Sequence, residues 1–328
     1  MIAENVLCSI CTYKRYDTTL PLALMSIVTQ EVKPKKVLLY DDNEDAKDLR
    51  EVETYKHIFN MLTMQGIEWE VVFGEKKGQH FGHQTANSRG FEWVWRLDDD
   101  TIAEPNVLKN LLLHTGKDVG AVGGSIITPP GFTPHDSEIT ALIKNINTEP
   151  NIQWYAINRK RRVEHLHCSF LYRAGVVDYN LGLSRVAHRE ETLFTWQLHN
   201  RGYKLFVIPD TVTWHLKSQG GGIRAENNHK LQLYEHDERI FNNLVTIDDK
   251  TIVVLNCGMG DHVVFKKVLP EIKNPVVFTC YPEIVPGRSI AEAIELYGDT
   301  DQFNIYKKMD EWNWTDSLEN AFRKLYVK

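Results

Sequence analysis

Apolar runs of strand length alternate with helix-length runs through the first half of the chain, and two of the strand-like runs end in aspartates. "NVLCSICTY" reads as a strand, and residues 17–30, "DTTLPLALMSIVTQ", carry an amphipathic helical pattern opened by Asp17 and threonines. "KKVLLYDD" reads as a second strand, 46–64 as a helix, "IEWEVVFGE" as a third strand, 82–92 as a helix and "EWVWRLDDD" as a fourth strand. Such alternation specifies an α/β fold whose mainly parallel sheet is flanked by helices. Ligands of such sheets bind beyond the carboxyl ends of the strands. Asp41–Asp42 and Asp98–Asp100 both stand at such ends, so two strands aim acids at one rim.

The pattern continues with a helix in "PNVLKNLLLHTG", a buried strand and turn in "DVGAVGGSIITPPG" and an apolar strand over 165–173. A helix from about Glu190 to Asn200 ends at Gly202, a residue type favoured where helices stop. "KLFVIPDTVTWH" predicts a strand, a turn and a short strand, residues 217–228 a glycine-rich loop without a packing signal, and the next stretch a polar helix to about Asn243. From about residue 248 a separate small α/β unit begins, with strands in "TIVVL" and "PVVFTCYPEI", a glycine turn and helix between them, and a closing helix over 315–327. The expected division is 1–228, a helical connector over 229–247, and 248–328.

Composition sets bounds rather than a function. The chain has 328 residues, 42% of them hydrophobic and 25% charged, enough for a core in each unit. A formal charge of −6 does not favour broad electrostatic binding of nucleic acid, and one local basic run is present, Arg159–Arg162. No run of about 18 apolar residues is present, so no membrane-spanning helix is expected. The N-terminus lacks the apolar segment of a signal peptide. Cys8 and Cys11 would point to opposite faces of one strand, and no second pair completes a zinc site. Reduced thiols and a cytoplasmic protein are the expectation.

Three adjacent aspartates repel one another unless a cation holds them. Asp98 and Asp100 share a face of an extended chain. Hard oxygen ligands so placed suit Mg2+ or Mn2+ together with substrate phosphates.

Over its first 216 residues the chain resembles the GT-A glycosyltransferases, family 2 in particular, and four motifs in order carry the likeness. "SICTYKR" is similar to the family's first strand and the loop that covers the nucleotide, which implies donor contacts from Thr12, Tyr13 and Arg15. "VLLYDDNED" is similar to the second-strand motif and implies a nucleoside contact from Asp41, with Asp42 beside it. "GHQTANSRGFEWVWRLDDDT" is similar to the segment that leads into the metal-binding DxD. It implies donor contacts from Gly82, Asn87, Asp98 and Asp99, and metal ligation by Asp98 and Asp100. "REETLFTWQLHNRGYKLFVIPDTVTWH" is the most specific match: an acidic pair, a helix, an Arg-Gly-Tyr-Lys turn, a Pro-Asp turn and a closing His. It implies Glu191 as catalytic base beside Glu190, and His215 as a further metal ligand. Departures are "DDNED", which lacks the usual Gly-Ser after the acids, and a Glu-Glu pair where Glu-Asp is usual. The C-terminal "CGMGDHVVFKKVLP" only faintly resembles a glycine turn of family 9 heptosyltransferases, and Trp312 and Trp314 are candidates for stacking on a sugar or base.

The resemblance implies an inverting, metal-dependent transferase with a nucleotide-diphosphate sugar donor, a UDP-sugar in first place, and Mn2+ or Mg2+ as cofactor. A sugar nucleotidyltransferase would need a glycine-rich phosphate loop near the N-terminus, and "TYKRYDTT" has no glycine. A non-catalytic nucleotide- or carbohydrate-binding module would not need a carboxylate separate from the metal pair. The acceptor stays open among a glycan, a protein and a modified nucleic-acid base.

Overall fold

The computed structural model describes residues 1–129, most of 152–217 and 220–245, and beyond these the strand segments 251–255, 275–281 and 303–307 with a few isolated positions. Its centre is β1 (Ile2–Thr12), hydrogen-bonded in parallel to β2 (Lys33–Asp41) on one side and β4 (Trp93–Asp98) on the other. β3 (Glu68–Phe73) extends the sheet in parallel beyond β2. The apolar runs of β1 and β4 are continuous because both faces are covered. Val6, Cys8 and Ile10 pack with Leu20, Leu24 and Ile27 of α1 (Leu20–Val28) and Ile58, Phe59 and Leu62 of α2 (Glu53–Met64). Leu7 and Cys11 pack on the opposite face with Ala86 of α3 (Gln79–Asn87). Cys8 and Cys11 therefore do lie on opposite faces.

Beyond β4 the sheet is mixed. β8 (Phe170–Arg173) runs antiparallel to β4 and to β6 (Val119–Ile127), and β9 (Lys204–His215) runs parallel to β6. The short β5 (Thr101–Ala103) and β7 (Arg161–Val163) each pair antiparallel with β9. The strand order is β3-β2-β1-β4-β8-β6-β9-β5, which brings the ends of β1, β4 and β9 to one rim. α4 (Val107–Leu113) and α5 (Glu190–Asn200) flank this half.

Five expectations shift. The helix read at 46–64 begins only at Glu53, after a 3-10 turn over Leu49–Glu51. The helix read at 82–92 starts at Gln79 and ends at Asn87. Gly78, at φ 116°, opens it with its N–H on Asp42, and Asn87 closes it by accepting from the Gly175 N–H. The strand read at 165–173 contracts to Phe170–Arg173. Gln153 instead ties down the preceding loop through the His167 and Ser169 carbonyls and the His167 N–H. The Pro-Asp turn becomes a bulge within the single strand β9, where pairing jumps from Gly123–Val207 to Ser125–Val212 and Asp210 takes φ 54°. The described part of the glycine-rich segment, at Gly221 and Gly222, does pack. The Gly222 N–H donates to the Tyr13 carbonyl, and a Cβ on Gly222 would lie 2.5 Å from the Arg15 guanidinium. A short helix α6 (Ile223–Asn227) follows at once.

The polar helix α7 (Leu231–Leu244) is anchored by two buried residues. Asp237 accepts from the Ser184 hydroxyl and from the N–H groups of Ser184 and His188, and Phe241 packs with Leu193 of α5. A second, three-stranded parallel sheet is formed by β10 (Thr251–Leu255), β11 (Pro275–Tyr281) and β12 (Phe303–Lys307). Its first two strands match the expectation and β12 was not foreseen. The glycine turn after Asn256, Trp312, Trp314 and the helix read at 315–327 lie outside the described residues.

Candidate active site

A cavity of about 300 Å³ opens at the shared rim of β1, β4 and β9, beneath the glycine-rich segment. Of the residues singled out in the sequence, Thr12, Tyr13, Arg15, Asp42, Asp98, Asp99, Asp100, Glu191 and His215 line it. The two acidic clusters and the α5 acid thus meet although they are far apart in sequence.

The other four lie outside the lining. Asp41 is buried, and its carboxylate accepts from the Tyr16 hydroxyl and the Asn43 carboxamide. Its neighbour Asp42 is the acid at the cavity wall, fixed by the Gly78 N–H at 2.8 Å. Gly82 is a close-packing position, since a Cβ there would stand 2.4 Å from the Cys11 sulfur. Asn87 joins α3 to the segment between β8 and α5 by donating to the Val177 carbonyl. Glu190 turns inward, is 1% exposed, and accepts from the Gln79 carboxamide at 2.8 Å.

The three aspartates have separate partners. Asp99 accepts from the Thr12 hydroxyl at 2.8 Å, the Tyr13 N–H at 3.2 Å and Arg15 at 3.0 Å. That is the pattern of a carboxylate, yet burial, helped by the charge of Asp100, outweighs Arg15 and pushes its pKa up to about 7. Asp100 pairs with Arg15 at 2.6 Å and His215 at 3.3 Å. Burial alone would raise Asp100, but the hydrogen bond to His215 and the charge of Arg15 hold it below the usual carboxylate range. The same ion pair raises His215 against the effect of its burial. Asp98 faces Arg96 at 3.2 Å.

Arg96 was not singled out by sequence reasoning. It is fully buried on β4 and also pairs with Glu190 at 2.6 Å and Glu191 at 3.1 Å. The signal was present: an arginine inside the apolar "WVWRL" has to find charge partners. Burial raises the Glu190 pKa, whereas Arg96, with Arg224 at 3.5 Å, outweighs burial at Glu191 and holds it well below its usual range. One of the two adjacent acids is thus poised ionised at the cavity wall, and its neighbour is pushed toward the protonated form beneath it. Arg224, Trp154, Lys217 and Cys168 also line the cavity and were missed. Their elements meet only in the folded chain.

The donor set fits a divalent cation. Carboxylate oxygen of Asp98, sulfur of Cys168 and ring nitrogen of His215 lie within 4.8 Å of one another. The buried His215 Nδ1 has no hydrogen-bond partner, which leaves it available as a ligand atom.

The family comparison agrees with this architecture. The model of the family "Glycosyl transferase family 2" matches residues 8–180. The chain therefore belongs to glycosyl transferase family 2 and carries a glycosyltransferase domain of GT-A fold. The solved structure of GalNAc-T7 with UDP, GalNAc and Mn2+ superposes with a TM-score of 0.50 at 13% identity, covering 65% of this chain and 44% of that one. This chain thus spans less than half of that protein's length, and the likeness is one of fold. Mannosyltransferase PcManGT from Pyrobaculum calidifontis, in complex with GDP-Man and Mn2+, matches at TM-score 0.49 and 14% identity over 73% of this chain and 64% of that one. S. aureus TarS 1-349 matches at TM-score 0.47 and 16% identity over 71% and 70%. No curated protein sequence matches the chain. No helix among the described residues is long and apolar enough to cross a membrane.

Proposed function

We propose that the protein transfers a sugar from a nucleoside-diphosphate donor, a UDP-sugar in first place, to an acceptor hydroxyl with inversion at the anomeric carbon. One observation carries this reading: Asp98, Asp100 and His215 share a single cavity with Glu191, a separate carboxylate paired with Arg96. The first three supply oxygen and nitrogen donors for a metal ion, and the fourth, besides pairing with Arg96, supplies a carboxylate for proton transfer.

Asp98, Asp100 and His215 would hold Mn2+ or Mg2+. The ion's contribution is to offset charge on the departing diphosphate. Arg15 is placed to follow that charge, because its partners Asp99 and Asp100 already orient it into the cavity. Tyr13, with Arg185 stacked 4.9 Å above its ring, and Asp42 form the wall offered to the nucleoside. Glu191 takes the acceptor proton as the acceptor oxygen bonds to the anomeric carbon and the carbon–diphosphate bond breaks. Direct displacement inverts the centre. Arg224 and the glycine-rich segment cover the site and limit access of water. The acceptor is proposed only as a hydroxyl compound: a glycan, a protein or a modified nucleic-acid base.

The test is calorimetry of nucleoside diphosphates with and without Mn2+, then nuclear magnetic resonance of the product. Metal-dependent binding that falls sharply in Asp100→Asn, and a product of inverted configuration, are expected. Equal affinity in EDTA, or a retained configuration, overturns the reading.

A further inference from the structure

Cys168 belongs to none of the motifs that carry the family likeness, and in the sequence it is one of five scattered cysteines. Its position in the fold is specific. The antiparallel pairing of β4 with β8 sets Arg96 opposite Phe170. Followed two residues further along each chain, that register brings Asp98 to Cys168. His215 arrives from a third element, through the pairing of Thr101 with His215. Asp98 oxygen, Cys168 sulfur and His215 nitrogen then lie within 4.8 Å of one another.

Two further observations separate this thiol from a packing residue. Its backbone sits at φ 57°, in the left-handed region that favours glycine or asparagine and strains a residue with an ordinary side chain. Its side chain is 2% exposed, lines the cavity, and makes no disulfide or hydrogen bond among the described residues. A buried cysteine usually behaves as a small hydrophobe, yet this one stands within 4.8 Å of a carboxylate oxygen and an imidazole nitrogen. A sulfur at the cavity wall, grouped with a carboxylate oxygen and an imidazole nitrogen from two other elements, is the geometry of a ligand.

We infer that Cys168 is a ligand of the divalent-cation site, beside Asp98 and His215, and that its sulfur biases the site toward softer ions and away from Mg2+. This rests on the reading of the cavity as a metal-dependent donor site, and it adds a soft donor that hard-acid pairs lack. Thiolate selects Zn2+, Co2+ and Cd2+, whereas Mg2+ takes oxygen ligands. Mn2+ stands between them and tolerates nitrogen and sulfur better than Mg2+ does. On binding, the thiol proton leaves to solvent and the sulfur lone pair bonds to the cation.

The experiment uses the full chain without donor. Cd2+ is titrated in, and the ultraviolet thiolate-to-cadmium charge-transfer band is recorded for wild type, Cys168→Ser and Cys8→Ala, the last a core thiol away from the cavity. The expected result is a wild-type minus Cys168→Ser difference band that saturates at one ion per chain, stays in Cys8→Ala and is displaced by Mn2+ before Mg2+. Loss of even an outer partner of a metal ligand costs about 10–100-fold in affinity, so Cd2+ affinity in Cys168→Ser is expected to fall at least that far while Mg2+ affinity hardly changes. Should the serine variant fold poorly, Cys168→Asn suits the backbone: its metal-free melting temperature should equal or exceed wild type while the band is still lost. An unchanged band and an unchanged Mn2+-to-Mg2+ affinity ratio in either variant overturn the inference. If nucleoside diphosphate binding still depends on Mn2+, Asp98 and His215 in that case, the donor reading stands without it. A Cys168-dependent band together with metal-independent nucleotide binding would instead support the ligand assignment and overturn the donor reading.

Discussion

Arg15 and Arg96 each gather carboxylates at the same rim, but from different kinds of support. Arg15 lies in the loop after β1, is partly reached by solvent, and holds Asp99 at 3.0 Å and Asp100 at 2.6 Å under the Gly221–Gly222 backbone. Arg96 lies inside β4 with no exposure and binds Asp98, Glu190 and Glu191. A loop cation over acids can move when a ligand brings its own charges. A strand cation that pairs with the buried Glu190 and Glu191 and the half-buried Asp98 cannot be removed without leaving uncompensated charge. The difference teaches that one cluster is built to exchange partners and the other to stay in place, setting the protonation of the base.

The largest expected effect falls on Glu191, the α5 member of the fixed cluster at the cavity wall. Glu191→Gln keeps size and removes the proton acceptor, so turnover with acceptor should fall by about 10²–10⁴, with nucleoside diphosphate affinity little altered. Glu190→Gln should slow the chemical step less. Nucleotide release assays on both variants decide it: severe loss only in Glu190→Gln moves the base by one residue, and near-normal turnover in both sinks the base assignment.

Next in size is the contrast between the arginines themselves. Arg96→Leu should cost about 3–5 kcal/mol of stability in chemical denaturation, since it breaks a buried ion network. Arg15→Leu should cost less stability but weaken nucleoside diphosphate binding more. Equal losses in both assays would erase the distinction.

A smaller effect concerns pH. The folded pKa of Asp99 is pushed up to about 7, above an unfolded value near 4. The folded chain therefore holds the extra proton between those values. Its contribution to stability is fully present below about pH 4 and is lost as pH rises through about 7. The melting temperature of the metal-free protein should carry this downward slope, and Asp99→Asn should flatten it. An identical pH profile in the variant would place the titration elsewhere.

The smallest effect is expected from truncation. We place the division between the units at residues 247 and 248 and keep α7 with the first unit, because Asp237 and Phe241 bury themselves against it. A 1–247 chain should keep its donor affinity, whereas a chain ending at 228 leaves the N–H groups of Ser184 and His188 without Asp237. Insolubility of 1–247 across neighbouring end points would mean a shared core.

Much of this protein follows from local pattern. Apolar period and helix-end chemistry set β1 to β4, the α5 boundaries at Glu190 and Asn200, and the acids at strand ends, because each depends on neighbours within a few residues. The motif order was enough for the family and for most of the cavity lining. Tertiary structure decided what depends on distant partners. Asp41 turns to Tyr16 while Asp42 meets the cavity, since strand register and the Gly78 N–H select between them. The glycine-rich segment folds over Arg15 through contacts across some two hundred residues, which no local pattern carries. Arg96 beneath Glu190 and Glu191, and Cys168 beside Asp98 and His215, arise from β4, β8, α5 and β9 meeting at one rim. Side-chain chemistry was fixed by the chain, but which groups share a desolvated volume, and so which protons and ions they hold, was set only by packing.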